Sequence, residues 1–330
     1  MKLPSIAKTI RFHQFGAPQE VLRIEEESVS PPQDKEVLLK LKFAPIHPSD
    51  INLIEGTYGL RPPLPAVPGN EGLGVVVAIG ADVNRFQVGD WVKPPLGSWQ
   101  QYARVPSDQC LKLPQDLDDQ QAAMLCVNPP TAWRMLHDFV ALQTGDWVIQ
   151  NAANSAVGRC VIQIARTLGA HTVNLVRRPE LAEELRSIGA DVVLADDANV
   201  KKKLAEFSIP RGKLRLGLNA VGGESATRLA DCLEESGMLV TYGAMSREAL
   251  KIPNKFLIFK DLHFRGFWMS RWFQRADTPT KEAVFAELGA LMREGKLHIP
   301  VRRVFPLEEI AAAVSCAQQS GEGKVLLRCN

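Results

Sequence analysis

An excess of charge of either sign is almost missing from this chain: 39 lysines and arginines stand against 37 aspartates and glutamates, a formal +2. Without a one-signed surface there is no electrostatic case for nucleic acid or an anionic membrane as partner. Long apolar runs are missing too. The longest lies around positions 75–79, far below the ~20 residues of a membrane-spanning helix, so no membrane insertion is expected. The opening "MKLPSIAKTIRFHQFG" lacks the apolar core of a secretory signal. Its alternation around Ile10 and Phe12 already reads as a first strand, and the expected location is cytoplasmic, with a mitochondrial one as the alternative. The six cysteines include no C-x-x-C pair and none at metal-ligand spacing from a histidine. They read as reduced thiols packed as small apolar groups. Tyrosine is scarce: Tyr58, Tyr102 and Tyr242 are the three candidates for any phenolic acid.

What is present supports full cores: 45% of residues are hydrophobic, and at ~150 residues per domain the length suggests about two domains. The first third holds short strands broken by Pro and Gly, such as "EVLLKLKFAPI", "GLGVVVAIG" and "WQQYARVP". Alternation at this spacing predicts a small, mostly antiparallel β domain. The Pro-rich "YGLRPPLPAVPGNEG" is neither helix nor central strand and reads as an ordered loop or cleft wall. From about position 122 the texture changes to strands alternating with helices. Six apolar strands, ending in "LHFRGFW", predict a doubly wound parallel sheet buried on both faces. In the tail, helices over 280–293 and 307–318 precede "KVLLRC", a strand returning to the first domain. The expected division is therefore 1–125 with 272–330, and 126–271.

The stretch "IQNAANSAVGRCVIQIARTLGA" reads as strand, turn and helix, with the helix over 157–168. In the dinucleotide fingerprint three glycines provide a tight turn, close approach to the pyrophosphate and close helix–strand packing. Their places here hold Ala153, Ser155 and Gly158. Small residues keep the approach open, Asn154 and Ser155 add donors, and a helix N-terminus offers free amides to phosphates. At the end of the second strand, where an NAD enzyme carries a carboxylate for the ribose hydroxyls, the chain reads "NLVRRPE". Arg177 and Arg178 suit a 2′-phosphate instead, so NADP(H) is expected over NAD(H).

With these motifs in place, the chain resembles the medium-chain dehydrogenase/reductase superfamily over essentially its whole length. "APIHPSDINLIEGTYGL", "VNPPTAWRML", "LNAVGG", "VTYGAM" and "LIFKDLHFRGFWMSRW" are similar to the zinc-free trans-2-enoyl thioester reductases, the group that includes mitochondrial enoyl-CoA reductase. The resemblance implies a GroES-like β domain beside a Rossmann domain with a six-stranded parallel sheet. Where the zinc alcohol dehydrogenases place a cysteine and a histidine, this chain has His47 and Asn70, so no zinc is expected. A lone His47 reads as a satisfied polar residue. The resemblance also implies cofactor contacts from Asn128, from Asn154, Ser155, Ala156, Val157 and Gly158, from Tyr242, Gly243, Ala244 and Met245, from Phe267, Trp268, Met269 and Ser270, and from Lys324. Ala156 and Ala244 stand where glycines are expected.

Reducing an enoyl thioester places hydride on Cβ and charge on the thioester oxygen, and a proton must then reach Cα. A phenol with pKa ~10 is a neutral donor for that step. Tyr58, in "EGTYGL" on the Pro-rich loop, matches the family's catalytic tyrosine, with Asn52 as a polar neighbour of the thioester and Trp268 in the acyl pocket. Arg265, Arg271, Arg275 and Lys281 are candidates for a basic patch that meets the CoA phosphate or an acyl carrier protein. The expected substrate is thus an acyl thioester on CoA or carrier protein, and the family implies a homodimer through the edge of the Rossmann sheet. Two other readings stand beside it: an NADPH:quinone oxidoreductase of the same architecture, and a non-catalytic NADPH-binding sensor or scaffold.

Overall fold

Residues 3–319 and 321–330 are described by the structure, a computed structural model. The chain divides into two units, one running to Val127 and resuming over Ala276–Asn330, the other Asn128–Arg275. These breaks fall two and four residues beyond the expected ones. Both shifts have a local cause. Asn128 opens the helix Asn128–His137, whose Pro129 and Pro130 occupy the first turn, where a missing N–H costs nothing. At the other break the helix Met269–Arg275 stays with the second unit because Trp272 lies under the Arg134 guanidinium at 5.6 Å.

In the first unit the ten-residue strand Glu36–Pro45 is the organiser. It pairs antiparallel with Leu73–Ile79, with Tyr102–Pro106 and with the last strand, Lys324–Arg328. Lys324–Arg328 in turn pairs parallel with Val301–Pro306. Ile10, Phe12, Leu39, Leu41, Val76, Trp99 and Leu327 fill the core beneath. The Pro-rich segment is an ordered loop, held at Ala66 by two backbone hydrogen bonds to Phe12, each 3.0 Å.

The second unit carries the expected six-stranded parallel sheet. Its spatial order is Val192–Ala195, His171–Val176, Trp147–Gln150, Leu214–Asn219, Met238–Thr241 and His263–Gly266. The order reverses between Trp147–Gln150 and Leu214–Asn219, which opens a crevice at the carboxyl ends of those strands. The inner strands are buried on both faces, with Ile149, Val173, Leu175, Leu214 and Leu239 in one core. The last strand is shorter than its apolar sequence predicts: it ends at Gly266, and Met269 already begins a helix. Its outer edge is exposed, as are Leu257, Ile258 and Phe259 beside it, the last at 78%. Among the described residues no helix is long and apolar enough to cross a membrane, and the six cysteines are free thiols.

Candidate active site

The turn after Trp147–Gln150 answers the question of the missing glycines. Ser155 caps the helix Ala156–Thr167, its hydroxyl accepting from Gly158 N at 3.1 Å, and Arg159 N makes the first helical bond to Ser155 O at 2.9 Å. The amides of Ala156 and Val157 then have no partner among the described residues and point out of the helix end. At Gly158 a Cβ would lie 2.5 Å from Ala153 O and 2.7 Å from Ala153 C. Glycine survives at the one fingerprint position where a side chain has no room. Ala152 takes the strained part of the turn at φ 48°, a conformation that costs a non-glycine residue about 1 kcal/mol. Arg159, 3% exposed, underlies the turn. Its Nε donates to Asn154 O at 3.2 Å, and Nη2 lies 2.5 Å from Glu184 Oε1.

Arg177 and Arg178 follow the second sheet strand, one exposed and one half-buried, with no acidic partner among the described residues. The carboxylates at the end of the next strand are engaged elsewhere. Asp196 holds Arg228 at 2.6 Å and Ser225 at 2.5 Å, and Asp197 holds Lys203 at 2.9 Å. Two guanidiniums therefore stand free where a 2′-phosphate is expected.

Two further donors of the same unit are buried without partners: Asn128 Nδ2 and the Tyr242 hydroxyl. A buried donor left unpaired costs about 1–3 kcal/mol, so each such atom calls for an explanation, a ligand among them. The Tyr242 phenol sits beside the Ser155 hydroxyl without hydrogen-bond geometry, and burial raises its pKa well above the usual phenol range. Gly243 lets this segment rest on the turn below, since a Cβ there would meet Ala220 O at 2.8 Å. Ala244 and Met245 are exposed. Phe267 meets Phe139 edge-on at 6.0 Å, Trp268 lies under Arg271 at 5.9 Å, and Met269 and Ser270 open their helix. Arg265 lies on the edge strand, and Arg271 and Arg275 on the following helix, all exposed. Lys281 belongs to the other unit.

In the first unit the helix Pro48–Glu55 carries Asn52 and leads into Tyr58. His47 and Asp50 form a capping box, with His47 N donating to Asp50 Oδ2 at 2.7 Å. At the far end, Thr57 N and Tyr58 N both donate to Asn52 O, at 2.8 and 3.1 Å. Tyr58 is thereby fixed just past the helix, half-buried against the core cluster that contains Phe12 and Ile54. Asn52 is brought beside it by the same two bonds.

The places of the zinc ligands are taken by an internal polar cluster. Lys324, 8% exposed, donates to Ile46 O at 2.6 Å and to His47 Nδ1 at 3.2 Å. An ammonium carries donors only, so Nδ1 accepts, and His47 Nε2–H donates to Glu71 Oε2 at 2.8 Å. Glu71 Oε1 accepts from Cys126 N and from Val127 N, the latter at 2.7 Å. Burial pushes Glu71 up to about 7 against the pull of the Cys126 amide and Lys324. Burial, then Lys324, pushes His47 down to about 3, and burial lowers Lys324 to about 8 against Asp50 and Glu71. Asn70 is bonded to Asp50 through its backbone and to Ser49 Oγ at 3.0 Å through its side chain. Among the described residues no group of three His, Cys, Asp or Glu is arranged to hold a metal. Glu71 and Arg159 had drawn no functional reading from the sequence. Their one advance signal was a charged residue inside an otherwise small or apolar motif.

Residues 33–115 match the family described as alcohol dehydrogenase GroES-like domain, and residues 156–287 that described as zinc-binding dehydrogenase. The mitochondrial enoyl-[acyl-carrier-protein] reductase of Xenopus tropicalis is 42% identical over 322 residues, 94% of this chain and 92% of that protein. The human protein of the same name is 40% identical over 323 residues, 96% of this chain and 87% of its own length. Among solved structures, the Etr1p complex with NADP and crotonyl-CoA superposes with a TM-score of 0.90 at 31% identity, covering 98% of this chain and 99% of the other. The mitochondrial 2-enoyl thioester reductase Etr1p/Etr2p heterodimer from Candida tropicalis gives 0.88 at 31%, with the same coverage. A quinone oxidoreductase of Pseudomonas syringae pv. tomato DC3000 gives 0.85 at 25%, again over 98% and 99%.

Proposed function

Because the chain belongs to the enoyl-[acyl-carrier-protein] reductase family of the medium-chain dehydrogenases/reductases, we propose that it reduces trans-2-enoyl thioesters to saturated acyl thioesters with NADPH. The observation that carries this reading is identity of 42% with an enoyl reductase across 94% of the chain. The residues present fit the cofactor: two unpaired buried donors, two outward amides, and two guanidiniums free of carboxylates.

When bound, NADPH supplies a hydride to Cβ of the enoyl group. The chain's own residues do the rest. The amides of Ala156 and Val157 and the helix end receive the pyrophosphate. Arg177 and Arg178 neutralise the 2′-phosphate and select against NADH. Asn128 Nδ2 and the Tyr242 hydroxyl donate to the cofactor, where the segments 243–245 and 267–270 bound its nicotinamide half. Lys324 has one N–H beyond its two observed partners, and that donor is assigned to the cofactor. Tyr58 delivers a proton as negative charge builds on the substrate, with Asn52 polarising the thioester and Trp268 lining the acyl pocket. The acyl group is carried on CoA or on an acyl carrier protein. For the latter, the exposed Arg265, Arg271 and Arg275 offer complementary charge. A second copy of the chain on the exposed edge of His263–Gly266 makes the homodimer, since an unpaired strand edge beside exposed apolar residues is a pairing surface. The compartment stays cytoplasmic in this reading, with the mitochondrial location of the named relatives as the alternative that fractionation decides.

The test is NADPH oxidation with crotonyl-CoA and with a quinone in parallel. Enoyl-dependent oxidation is expected, with kcat falling roughly 10²–10⁴-fold in Tyr58→Phe while NADPH affinity holds. Oxidation with the quinone alone would move the chain to the quinone oxidoreductases whose fold it shares. Binding of NADPH with neither oxidation would leave a sensor.

A further inference from the structure

Two asparagines, Asn151 just after Trp147–Gln150 and Asn219 at the end of Leu214–Asn219, stand at the reversal of the sheet, and both are fully buried. Asn151 Nδ2 donates to Asn219 Oδ1 and to Ser225 Oγ, each at 2.8 Å, which uses both of its hydrogens. Asn151 Oδ1 accepts from Ala220 N at 2.7 Å. Asn219 Oδ1 also accepts from Val221 N and Gly222 N at 3.2 and 3.0 Å, and its Nδ2 donates to Thr241 Oγ1 at 3.1 Å. Ser225 passes the network to Asp196, at the end of Val192–Ala195, and Asp196 to Arg228.

Asn151 stands immediately before the phosphate turn. Asn219 stands immediately before the turn 220–222, and the segment from Tyr242 onward is hung on that turn. Tyr242 N donates to Asn219 O at 3.0 Å, Met245 N to Ala220 O at 3.0 Å and Ser246 N to Val221 O at 2.9 Å. The ladder between the two strands is irregular between Leu214 and Leu216 and regular from Leu216 to Leu218, so the backbone pairing stops at Gln150 and Leu218 and the turns beyond it are held by side chains. A buried network in which each side chain is bonded to others favours one arrangement, because moving any member breaks bonds of the others.

We propose that the Asn151–Asn219 amide pair, with Thr241, is the positioning device that sets the phosphate turn and the segment 242–246 in register with each other for the dinucleotide. This rests on the reading that the second unit holds NADPH. Its loss is felt in cofactor affinity and in the placement of the nicotinamide, and not in the binding of the thioester.

The experiment compares Thr241→Val, which is isosteric and removes the hydroxyl, with Thr241→Ser, which keeps it, and adds Asn151→Asp. NADPH titrations followed by cofactor fluorescence, without thioester, give Kd, and steady-state assays give KM for crotonyl-CoA. Losing one such bond should raise Kd roughly three- to tenfold in Thr241→Val, with Thr241→Ser restoring the wild-type value and KM for crotonyl-CoA unchanged. Asn151→Asp, which loses two donors, should raise it further. If that variant does not fold, the Thr241 pair decides alone. Equal Kd for Thr241→Val and wild type overturns the positioning role. A wild-type chain that binds no NADPH overturns it by removing the functional reading beneath it, a result the variants cannot mimic.

Discussion

The Lys324 ammonium meets the His47 imidazole at 3.2 Å, and this contact turns the ring into an acceptor on one side and a donor to Glu71 on the other. Where zinc-dependent relatives keep ligands, this chain keeps a cation of its own. The cluster ties the last strand to the capping box of the helix that presents Tyr58.

His47 makes this arrangement pH-sensitive in one direction. Its folded pKa is about 3 against an ordinary 6.5. Between those values the unfolded chain takes up a proton that the folded chain refuses, so the contribution of His47 to stability is present above 6.5 and is lost as pH falls toward 3. The unfolding free energy of wild type minus that of His47→Gln, from urea titrations, should therefore be largest near neutral pH and shrink toward pH ~4. A difference that is constant with pH contradicts the neutral, buried imidazole.

Gly158→Ala should cost about 1–3 kcal/mol, because the new methyl group meets the Ala153 backbone rather than a movable side chain. Urea unfolding of the variant measures this directly. NADPH affinity should fall with it, since the turn must open to relieve the clash.

Arg177→Ala together with Arg178→Ala should raise the KM for NADPH by roughly 10²–10⁴-fold, as two charge-assisted bonds of about 1.5–3 kcal/mol each are lost. The KM for NADH should stay near its original value. Parallel loss with both cofactors would place the arginines on the pyrophosphate rather than on the 2′-phosphate.

Arg159→Met removes a buried cation that serves both Asn154 O and Glu184. The expected cost in unfolding free energy is about 1–3 kcal/mol. Glu184→Gln should cost less, because Glu184 is about a third exposed, and the double variant should be no worse than Arg159→Met alone. Additive losses would mean that the two residues act independently.

Local pattern made much of this legible. The helix expected over 157–168 is Ala156–Thr167, and the six strands appear in the predicted succession, because apolar spacing and small turn residues act within a few positions of each other. The last Rossmann strand stops short of Phe267 and Trp268, where the onset of the helix Met269–Arg275 outweighs β propensity. Long-range pairings were not legible. Asn151 and Asn219 carry no local signal of their pairing, and only the closing of the sheet brings their side chains within 2.8 Å across 68 positions. Arg159 occupies a helical position that reads as solvated until Glu184, on another helix, covers it. Lys324 is expected as a cofactor contact from the resemblance alone, and nothing local signals its burial against His47, 277 positions earlier.

The strand Lys324–Arg328 lies between Val301–Pro306 and Glu36–Pro45. A ribosome thus delivers the organiser of the first unit's sheet before the second unit and one of its immediate neighbours after it. The second unit is continuous over Asn128–Arg275 and has all its strands in hand well before that. The order of completion is therefore the reverse of the order of translation. The earlier strands wait with an open edge at Phe43–Pro45 until the chain behind them arrives, and that waiting period is when a nascent chain most needs a chaperone's cover.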